Sequence, residues 1–201
     1  VYAKMLGADS SYMGTFGSDE AANHILATLD QLGVKHERCR QYEGENGYAR
    51  VTLENGDRVF LGSNKGGVAK EHPLTLEDGD MEYIQTFSHI HTSNNSYFDS
   101  QLPALAEKGL SVSYDFSGQW KEEKKVRQAA PYIRYAFLSC GSIPEQEAEE
   151  ICKSIYGAGC PMVIATRGSH GSLVYDGEIF YSQSPRLVKA VDTLGAGDSF
   201  A

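Results

Sequence analysis

The chain has 201 residues, of which 41% are hydrophobic and 22% charged, as is usual for a globular protein that can bury a sizeable core. Its net charge of −9 argues against a nucleic-acid-binding surface, because such a surface needs clustered Lys and Arg. Without a signal peptide, a membrane-spanning apolar run, a CxxC pair or a zinc-ligand spacing, the sequence favours a cytoplasmic protein with unpaired thiols.

The first predicted elements are a strand and a helix. A short strand-like run covers residues 8–13. A helix is predicted over 19–32, because apolar residues recur there at helical spacing. Ser18 is the predicted N-cap, and Gly33 is expected to end the helix in a left-handed conformation.

A β-hairpin is predicted next. Two β-rich runs, 48–54 and 57–62, flank Asn55 and Gly56. An Asn-Gly pair favours the type I′ turn, whose twist suits a two-stranded hairpin. Because this hairpin interrupts the alternation of strands and helices, we expect it to form a small separate β element.

The remainder of the chain alternates between strands and helices. The predicted order is a strand at 87–91, a helix at 100–108, a strand at 110–116, a helix at 122–130, a strand at 134–139, a helix at 144–156, a strand at 162–166, a hairpin around Asp176-Gly177 and a strand at 187–191. This rhythm predicts an α/β fold with a mostly parallel sheet flanked by helices. The mixed-charge run 121–125 is expected to be a solvated helix surface.

Both ends of the sequence resemble parts of longer elements. Residues 1–7 look like the end of a helix capped by Gly7, and a new helix begins just before Ala201. A helix of a single turn is not stable alone. We therefore expect both termini of the natural protein to be truncated here.

The strongest chemical signal lies near the C-terminus. A predicted strand leads through Asp192 and Thr193 into Gly-Ala-Gly at 195–197, and Asp198 follows in the first turn of a helix. Free backbone N–H groups at such a junction bind phosphate, and glycines let a charged ligand approach the backbone. A carboxylate beside this anion site can accept a proton from an attacking hydroxyl, which is what phosphoryl transfer requires.

Gly-Ala-Gly alone is weak evidence. The same three residues recur at 157–159, between a predicted helix and a strand, where they indicate the end of a helix. For Asp198 the alternative interpretation is helix capping, since the helix dipole stabilises a carboxylate there. The prediction of catalysis therefore depends on the full Asp-Thr-x-Gly-Ala-Gly-Asp string.

That string and several other segments resemble the ribokinase/PfkB family of carbohydrate kinases. Residues 14–20 resemble the family's GxVGxDxxG segment in shortened form, and 166–171 resemble its TxGxxG nucleotide loop. Residues 115–117 lie where the family has DxN, and Glu145 and Glu147 lie near the position of its NxxE motif. The resemblance covers nearly the whole chain.

Within the family, the chain is most similar to fructoselysine 6-kinases. The similar features are the strand at 57–60, the run at 115–120 and the C-terminal string. The resemblance implies one ribokinase-like, doubly wound kinase domain over 1–201, with a β lid around 44–66. It also implies ATP and Mg²⁺ as cofactors and transfer of the γ-phosphate to the 6-hydroxyl of a fructosamine.

The resemblance further implies a role for each site residue. Asp198 would deprotonate the substrate hydroxyl, and the N–H groups of Gly195, Ala196 and Gly197 would form an anion hole. The residues expected to contact the nucleotide are Thr166, Gly168, Gly171 and Thr193. Those expected to contact the sugar are Tyr48, Arg50 and His91, together with Asp198. Either Glu145 or Glu147 would hold Mg²⁺ through water, and Asp192 would bind a monovalent cation such as K⁺.

Some positions depart from the family pattern. Ser117 and Gln119 replace the Asn and Arg of DxNxR, and the family's GGxxxN sugar-binding segment is absent from this sequence. The Asn of NxxE is not cleanly present, so the choice between Glu145 and Glu147 stays open. These departures weaken the prediction of the substrate more than that of the reaction.

Other hypotheses remain for the function. The same chemistry could act on fructose, ribose, 2-keto-3-deoxygluconate or a nucleoside, and a sugar-binding regulator could use the same scaffold without catalysis. The intact Asp198 counts against the regulator. A nicotinamide-binding protein would need GxGxxG after an early strand, and no such string is found.

Two further features could bind a metal or a second subunit. His89 and His91 share one strand face, but without an evident third ligand they favour packing or substrate contact over a metal site. An open lid edge could pair in a homodimer.

Overall fold

The computed structural model describes residues 1–54, 57–189 and 193–201. Its helices and strands are α1 (Tyr2–Met5), β1 (Thr15–Phe16), α2 (Glu20–Leu32), β2 (Arg40–Gln41), β3 (Ala49–Glu54), β4 (Asp57–Ser63), α3 (Val68–Glu71), α4 (Asp78–Ile84), β5 (Ile90–Ser93), α5 (Leu102–Glu107), β6 (Val112–Ser117), α6 (Glu123–Ala129), β7 (Tyr135–Ser139), α7 (Glu145–Gly157), β8 (Met162–Thr166), β9 (Ser172–Tyr175), β10 (Phe180–Gln183) and α8 (Ala196–Phe200).

The chain divides into two compact units. The N-terminal unit comprises residues 1–76 and 95–97, and the sheet unit comprises 77–94 and 98–201. The N-terminal unit holds the parallel pair β1–β2 and the antiparallel pair β3–β4. Among the described residues, no helix has the length and apolar character needed to cross a membrane.

The sheet unit contains a six-stranded sheet in the order β10-β9-β8-β7-β6-β5. The four strands β5 to β8 pair in parallel, and β9 and β10 are added in antiparallel fashion. Consecutive residues of β6 and β8 are buried, as expected of strands covered on both faces. The predicted α/β fold with a mostly parallel sheet flanked by helices is confirmed.

The helix α2 forms where the sequence predicts it, but its cap differs. Asp19, not Ser18, is the N-cap, because its Oδ1 accepts the N–H of Ala22 at 2.9 Å. The other oxygen of the same carboxylate accepts the N–H of Asn46. The Ser18 hydroxyl instead accepts the N–H of Gly44, so the prediction of Ser18 as the cap is wrong.

The first hairpin forms as predicted. Its strands pair in antiparallel register from Ala49–Ser63 to Glu54–Asp57, with a bulge after Arg50. The predicted turn residues 55 and 56 lie outside the described residues. The Asn64 side chain ties the base of the hairpin, because it accepts the N–H of Tyr48 and donates to the Asn46 carbonyl.

Three predicted strands differ from the structure. Residues 8–13 form only a single bridge, Ser11 to Lys35, because a turn at 36–39 interrupts the pairing before it resumes between β1 and β2. β5 begins at Ile90 instead of 87, since Phe87 belongs to the turn that ends α4. Residues 187–189 are not in a strand, and 190–192 lie outside the described residues.

Gly33, which ends α2 in a left-handed conformation, can be tested by substitution. Gly33 has φ 66°, and a Cβ there would meet only the end of the Lys4 side chain. We predict that Gly33→Ala lowers the free energy of unfolding by about 1 kcal/mol, since a residue with a Cβ is strained in this conformation. Chemical denaturation measures this change.

The matched control for Gly33→Ala is Gly157→Ala. Gly157 is the last residue of α7, its φ is not positive, and a Cβ there would meet nothing within 4 Å. Alanine should therefore be neutral or stabilise the protein by up to about 1 kcal/mol. Equal losses in the two variants would contradict the assignment of Gly33 as a conformational cap.

Candidate active site

The predicted anion loop lies at the start of α8. Gly195 is the N-cap in a left-handed conformation, with φ 75°, and Asp198 lies in the first turn. The loop is closed by the N–H of Ala196, which donates to the Thr193 carbonyl at 3.2 Å, and by the N–H of Ser199, which donates to the Gly195 carbonyl. The predicted helix start is confirmed, and Asp198 follows the glycines without an intervening residue.

The predicted nucleotide loop connects β8 to β9 in a tight turn. The N–H of Arg167 donates to the Gly171 carbonyl at 2.8 Å, and the N–H of Gly171 donates to the Gly168 carbonyl. Both glycines have positive φ values, 55° and 88°. The Thr166 hydroxyl, at the end of β8, donates to the Leu138 carbonyl of β7 and so joins the loop to the neighbouring strand.

The two loops share one cavity of about 620 Å³. Its lining residues are Thr166, Gly168, Gly171, Ser172, Gln183, Ser184, Pro185, Arg186, Ala196, Gly197 and Phe200. A cavity of this volume can hold a molecule of nucleotide size. Three of the four residues expected to contact a nucleotide therefore surround the same space as two of the three expected anion-hole residues. The fourth, Thr193, is not part of the lining.

The charge of Asp198 acts on two side chains of the neighbouring strands. Burial lowers the pKa of His91, and the negative charge of Asp198 partly offsets this effect. Burial raises the pKa of Asp115; the N–H of Ser117 opposes this rise, and the charge of Asp198 reinforces it. Asp198, His91 and Asp115 therefore form one electrostatic cluster at the end of the sheet.

The sequence of the chain matches the family model described as pfkB family carbohydrate kinase over residues 1–201. The chain belongs to the pfkB family of carbohydrate kinases. It is 43% identical to the fructosamine kinase FrlD of Bacillus subtilis (strain 168) over 202 aligned positions, which cover 100% of this chain and 70% of that protein.

Two further comparisons support the family and the fold. The chain is 29% identical to fructoselysine 6-kinase of Escherichia coli (strain K12), covering 100% of this chain and 75% of that protein. A putative ribokinase II from E. coli, solved with ATP and Mg²⁺, superposes with a TM-score of 0.77 at 20% identity, covering 99% of this chain and 70% of that one. The predicted ribokinase-like fold and carbohydrate kinase class are confirmed.

The two candidate magnesium ligands of this pfkB kinase have different surroundings. Nη1 of Arg167 donates to Oε2 of Glu145 at 2.6 Å. Glu147 lies two residues further along α7, near Cys140. Burial raises the pKa of the Cys140 thiol to about 11, while the positive charge of Arg167 lowers it and the negative charge of Glu147 raises it.

The surroundings of these carboxylates are compatible with a hydrated Mg²⁺ ion. Carboxylate oxygens are the ligands that Mg²⁺ prefers, and this ion retains most of its water in kinase sites. In the part of the chain that the structure describes, no group of three His, Cys, Asp or Glu side chains could form a protein cage around a metal. One carboxylate that holds the ion through water fits this arrangement.

His89 and His91 are linked to serines of β6. Both ring nitrogens of His89 lie within hydrogen-bond distance of hydroxyls, Nδ1 of Ser111 at 3.0 Å and Nε2 of Ser113 at 2.8 Å. Nδ1 of His91 lies 2.8 Å from the same Ser113 hydroxyl. Hydrogen bonds on the sheet surface therefore occupy the nitrogens that a metal pair would use, except Nε2 of His91.

The remaining candidates belong to the N-terminal unit or lie outside the described residues. Tyr48 and Arg50 belong to the N-terminal unit, where the Arg50 guanidinium lies 5.1 Å from the centroid of the Tyr48 ring. Asp192, the expected ligand of a monovalent cation, lies outside the described residues.

Lys125 is a connecting residue that the sequence interpretation missed. It was expected on a solvated helix surface, but its Nζ donates to the Asn94 carbonyl at 2.6 Å and to Oε1 of Gln119 at 2.8 Å. It thus joins the segments that follow β5 and β6, because a long side chain can reach back from α6 over the sheet edge.

The nucleotide loop supplies a paired test of backbone space. A Cβ at Gly171 would lie 2.0 Å from the Gln183 carbonyl oxygen, whereas a Cβ at Gly168 would meet nothing within 4 Å. We predict that Gly171→Ala lowers the free energy of unfolding by about 2–5 kcal/mol, through strain and a backbone clash. Gly168→Ala should lower it by about 1–2 kcal/mol. Denaturant titrations that rank Gly168→Ala as the more damaging change would contradict this geometry.

Proposed function

We propose that this carbohydrate kinase transfers the γ-phosphate of ATP to the 6-hydroxyl of a fructosamine such as fructoselysine. The observation that carries the proposal is the cavity lined by both the 166–171 loop and the Gly-Ala-Gly turn, with Asp198 immediately beyond it. The two curated relatives named above, a fructosamine kinase and a fructoselysine 6-kinase, support the choice of acceptor.

In the proposed reaction, Asp198 accepts the proton of the sugar hydroxyl while the oxygen attacks the γ-phosphorus, and the bond from that phosphorus to the bridging oxygen of ADP breaks with its electron pair staying on ADP. The backbone N–H groups of Gly195 and Gly197 would face the charge that develops on the transferred phosphoryl group, and that of Ala196 would join them on leaving the Thr193 carbonyl. Preorganised N–H dipoles at a helix start stabilise this charge without reorganising during the reaction. Bound Mg²⁺ supplies neutralisation of the phosphate charge.

The nucleotide and the sugar would be held by separate residues. Thr166, Gly168, Gly171 and Thr193 would border the nucleotide, since three of them line the cavity. Because Nδ1 of His91 is bound to Ser113, its Nε2 is the atom that can contact the sugar.

Three further assignments complete the proposal. Tyr48 and Arg50 remain the proposed sugar contacts of the N-terminal unit, and Asp192 the proposed ligand of K⁺. We also propose a homodimer formed through the lid, because Phe60 and Leu61 of its second strand are each 64% exposed and a two-stranded sheet leaves edges unpaired.

The role of Asp198 can be tested by removing its basicity. Asp198→Asn should lower kcat by about a hundredfold or more, the usual contribution of a general base, while ATP binding is retained. Ser199→Ala is the matched control, since among the described residues its hydroxyl bonds to the Ala196 carbonyl of the same helix, and its loss should leave kcat unchanged. An Asp198→Asn enzyme with the kcat of the unaltered protein would reassign this residue to helix capping.

The acceptor can be tested by measuring ADP release with Mg·ATP and a panel of sugars. Fructoselysine should give the highest kcat/KM among fructoselysine, fructose, ribose and 2-keto-3-deoxygluconate, because the protein is most similar to the fructosamine kinases among the relatives compared. Phosphorylation at the 6-position can be checked by NMR of the product. A higher kcat/KM with ribose or fructose would replace the proposed acceptor without changing the proposed chemistry.

A further inference from the structure

Arg167 lies within the nucleotide loop but does not line the cavity. Its neighbours Thr166 and Gly168 are lining residues, whereas the Arg167 residue is only 8% exposed. Its main chain holds the turn closed, because its N–H donates to the Gly171 carbonyl and its carbonyl accepts the N–H of His170. The position of the Arg167 side chain is therefore coupled to the shape of the loop around the nucleotide.

The Arg167 side chain is anchored to α7. Its Nη1 donates to Oε2 of Glu145, the first residue of that helix, at 2.6 Å. The arginine side chain is 10% exposed and the glutamate side chain 57% exposed. The contact thus connects a buried guanidinium in the loop after β8 with a carboxylate that reaches it from the surface.

This ion pair differs from an ordinary surface pair. Among the described residues, Nε of Arg167 has no hydrogen-bond partner, and the carboxylate of Glu145 forms the ion pair with the guanidinium. Arginine stays charged, and an uncompensated buried cation is strongly unfavourable. The pair Arg127–Glu123 on α6 offers a comparison, because its side chains are 73% and 77% exposed.

Glu147 lies at the same edge of the sheet but, unlike Glu145, is not paired with Arg167. Its negative charge acts on the thiol of Cys140, the residue that follows β7, as does the positive charge of Arg167. Within the described residues, Glu147 forms no ion pair. The carboxylate of Glu145 is engaged by a buried arginine, and that of Glu147 is exposed at the surface.

We propose that Arg167 is a positioning residue that holds the 166–171 loop in its nucleotide-binding shape through its ion pair with Glu145, and that this leaves Glu147 as the carboxylate that faces hydrated Mg²⁺. The inference rests on the proposed function, because it takes the cavity beside the loop as the nucleotide site. Glu145 would thus fix the shape of the loop, and Glu147 would interact with the hydrated metal ion.

The test measures binding of a non-hydrolysable ATP analogue to the intact protein by calorimetry, with EDTA and with excess Mg²⁺. Glu145→Gln should weaken binding about tenfold in both conditions, the scale of one charge-assisted hydrogen bond, because the loop loses its anchor. Glu147→Gln should bind as tightly as the unaltered protein in EDTA but lose most of the gain that Mg²⁺ produces. Glu123→Gln, in the exposed comparison pair, should change neither value.

A double variant separates the effect of the ion pair on stability from its effect on nucleotide binding, and a purely structural pair would not show this separation. Glu145→Gln should lower the Tm by at least about 4 °C, whereas Glu123→Gln should not. Adding Arg167→Met to Glu145→Gln removes the uncompensated cation, so the Tm should recover. The affinity for the analogue should stay low, because methionine cannot restore the anchor between the loop and α7.

Four outcomes would overturn the inference. Wild-type analogue affinity in Glu145→Gln would exclude the anchoring role of Arg167. Recovery of both Tm and affinity in the double variant would make the pair structural only. Loss of the Mg²⁺ gain in Glu145→Gln but not in Glu147→Gln would reverse the roles of the glutamates. If the unaltered protein bound no analogue, the proposed function would fall and the inference with it.

Discussion

The parallel pairing of β5 to β8 is the constraint on which the rest of this site depends. Because these strands run in the same direction, their carboxyl ends meet at one edge of the sheet, and the segments that follow them must turn there. Cys140 and Thr166 therefore become neighbours although about 25 residues separate them in the chain, the length of one βα unit. The hydrogen bond from the N–H of Cys140 to the Thr166 carbonyl continues the strand pairing into this edge.

The same edge concentrates charge of both signs in partly desolvated surroundings. Asp115 and Asp198 repel one another, which adds to the burial that raises the pKa of Asp115. A site that deprotonates a hydroxyl beside a polyphosphate needs this combination, since the base has to stay ionised next to an anion whose charge favours protonation of the base. Backbone N–H dipoles serve the phosphate better than a cationic side chain would, because a dipole does not form an ion pair with the base.

Sequence patterns predicted the parallel sheet, the turn at 166–171 and the helix start at 195–198 because these depend on local signals. Alternating apolar runs, an Asn-Gly pair and glycines at strand ends act within a few residues. Two of the errors arose where a distant segment decides. Asp19 replaced Ser18 as the cap of α2 because its second oxygen is also held by Asn46, which the hairpin brings near. Lys125 looked like a surface residue because its acceptors, Asn94 and Gln119, follow two other strands.

Arg167 illustrates why the choice between two glutamates could not be made from the sequence. In the TxGxxG pattern its position is variable, so the pattern assigns it no function. Glu145 and Glu147 are two residues apart on α7, which places them on different sides of the helix, since each residue turns the helix by about 100°. A cation fixed at one side therefore selects one of them. Arg167, the cation that selects Glu145 over Glu147, belongs to a loop that only the folded sheet brings to the start of α7. The selection is strong because Arg167 is buried, and no local sequence pattern encodes that burial.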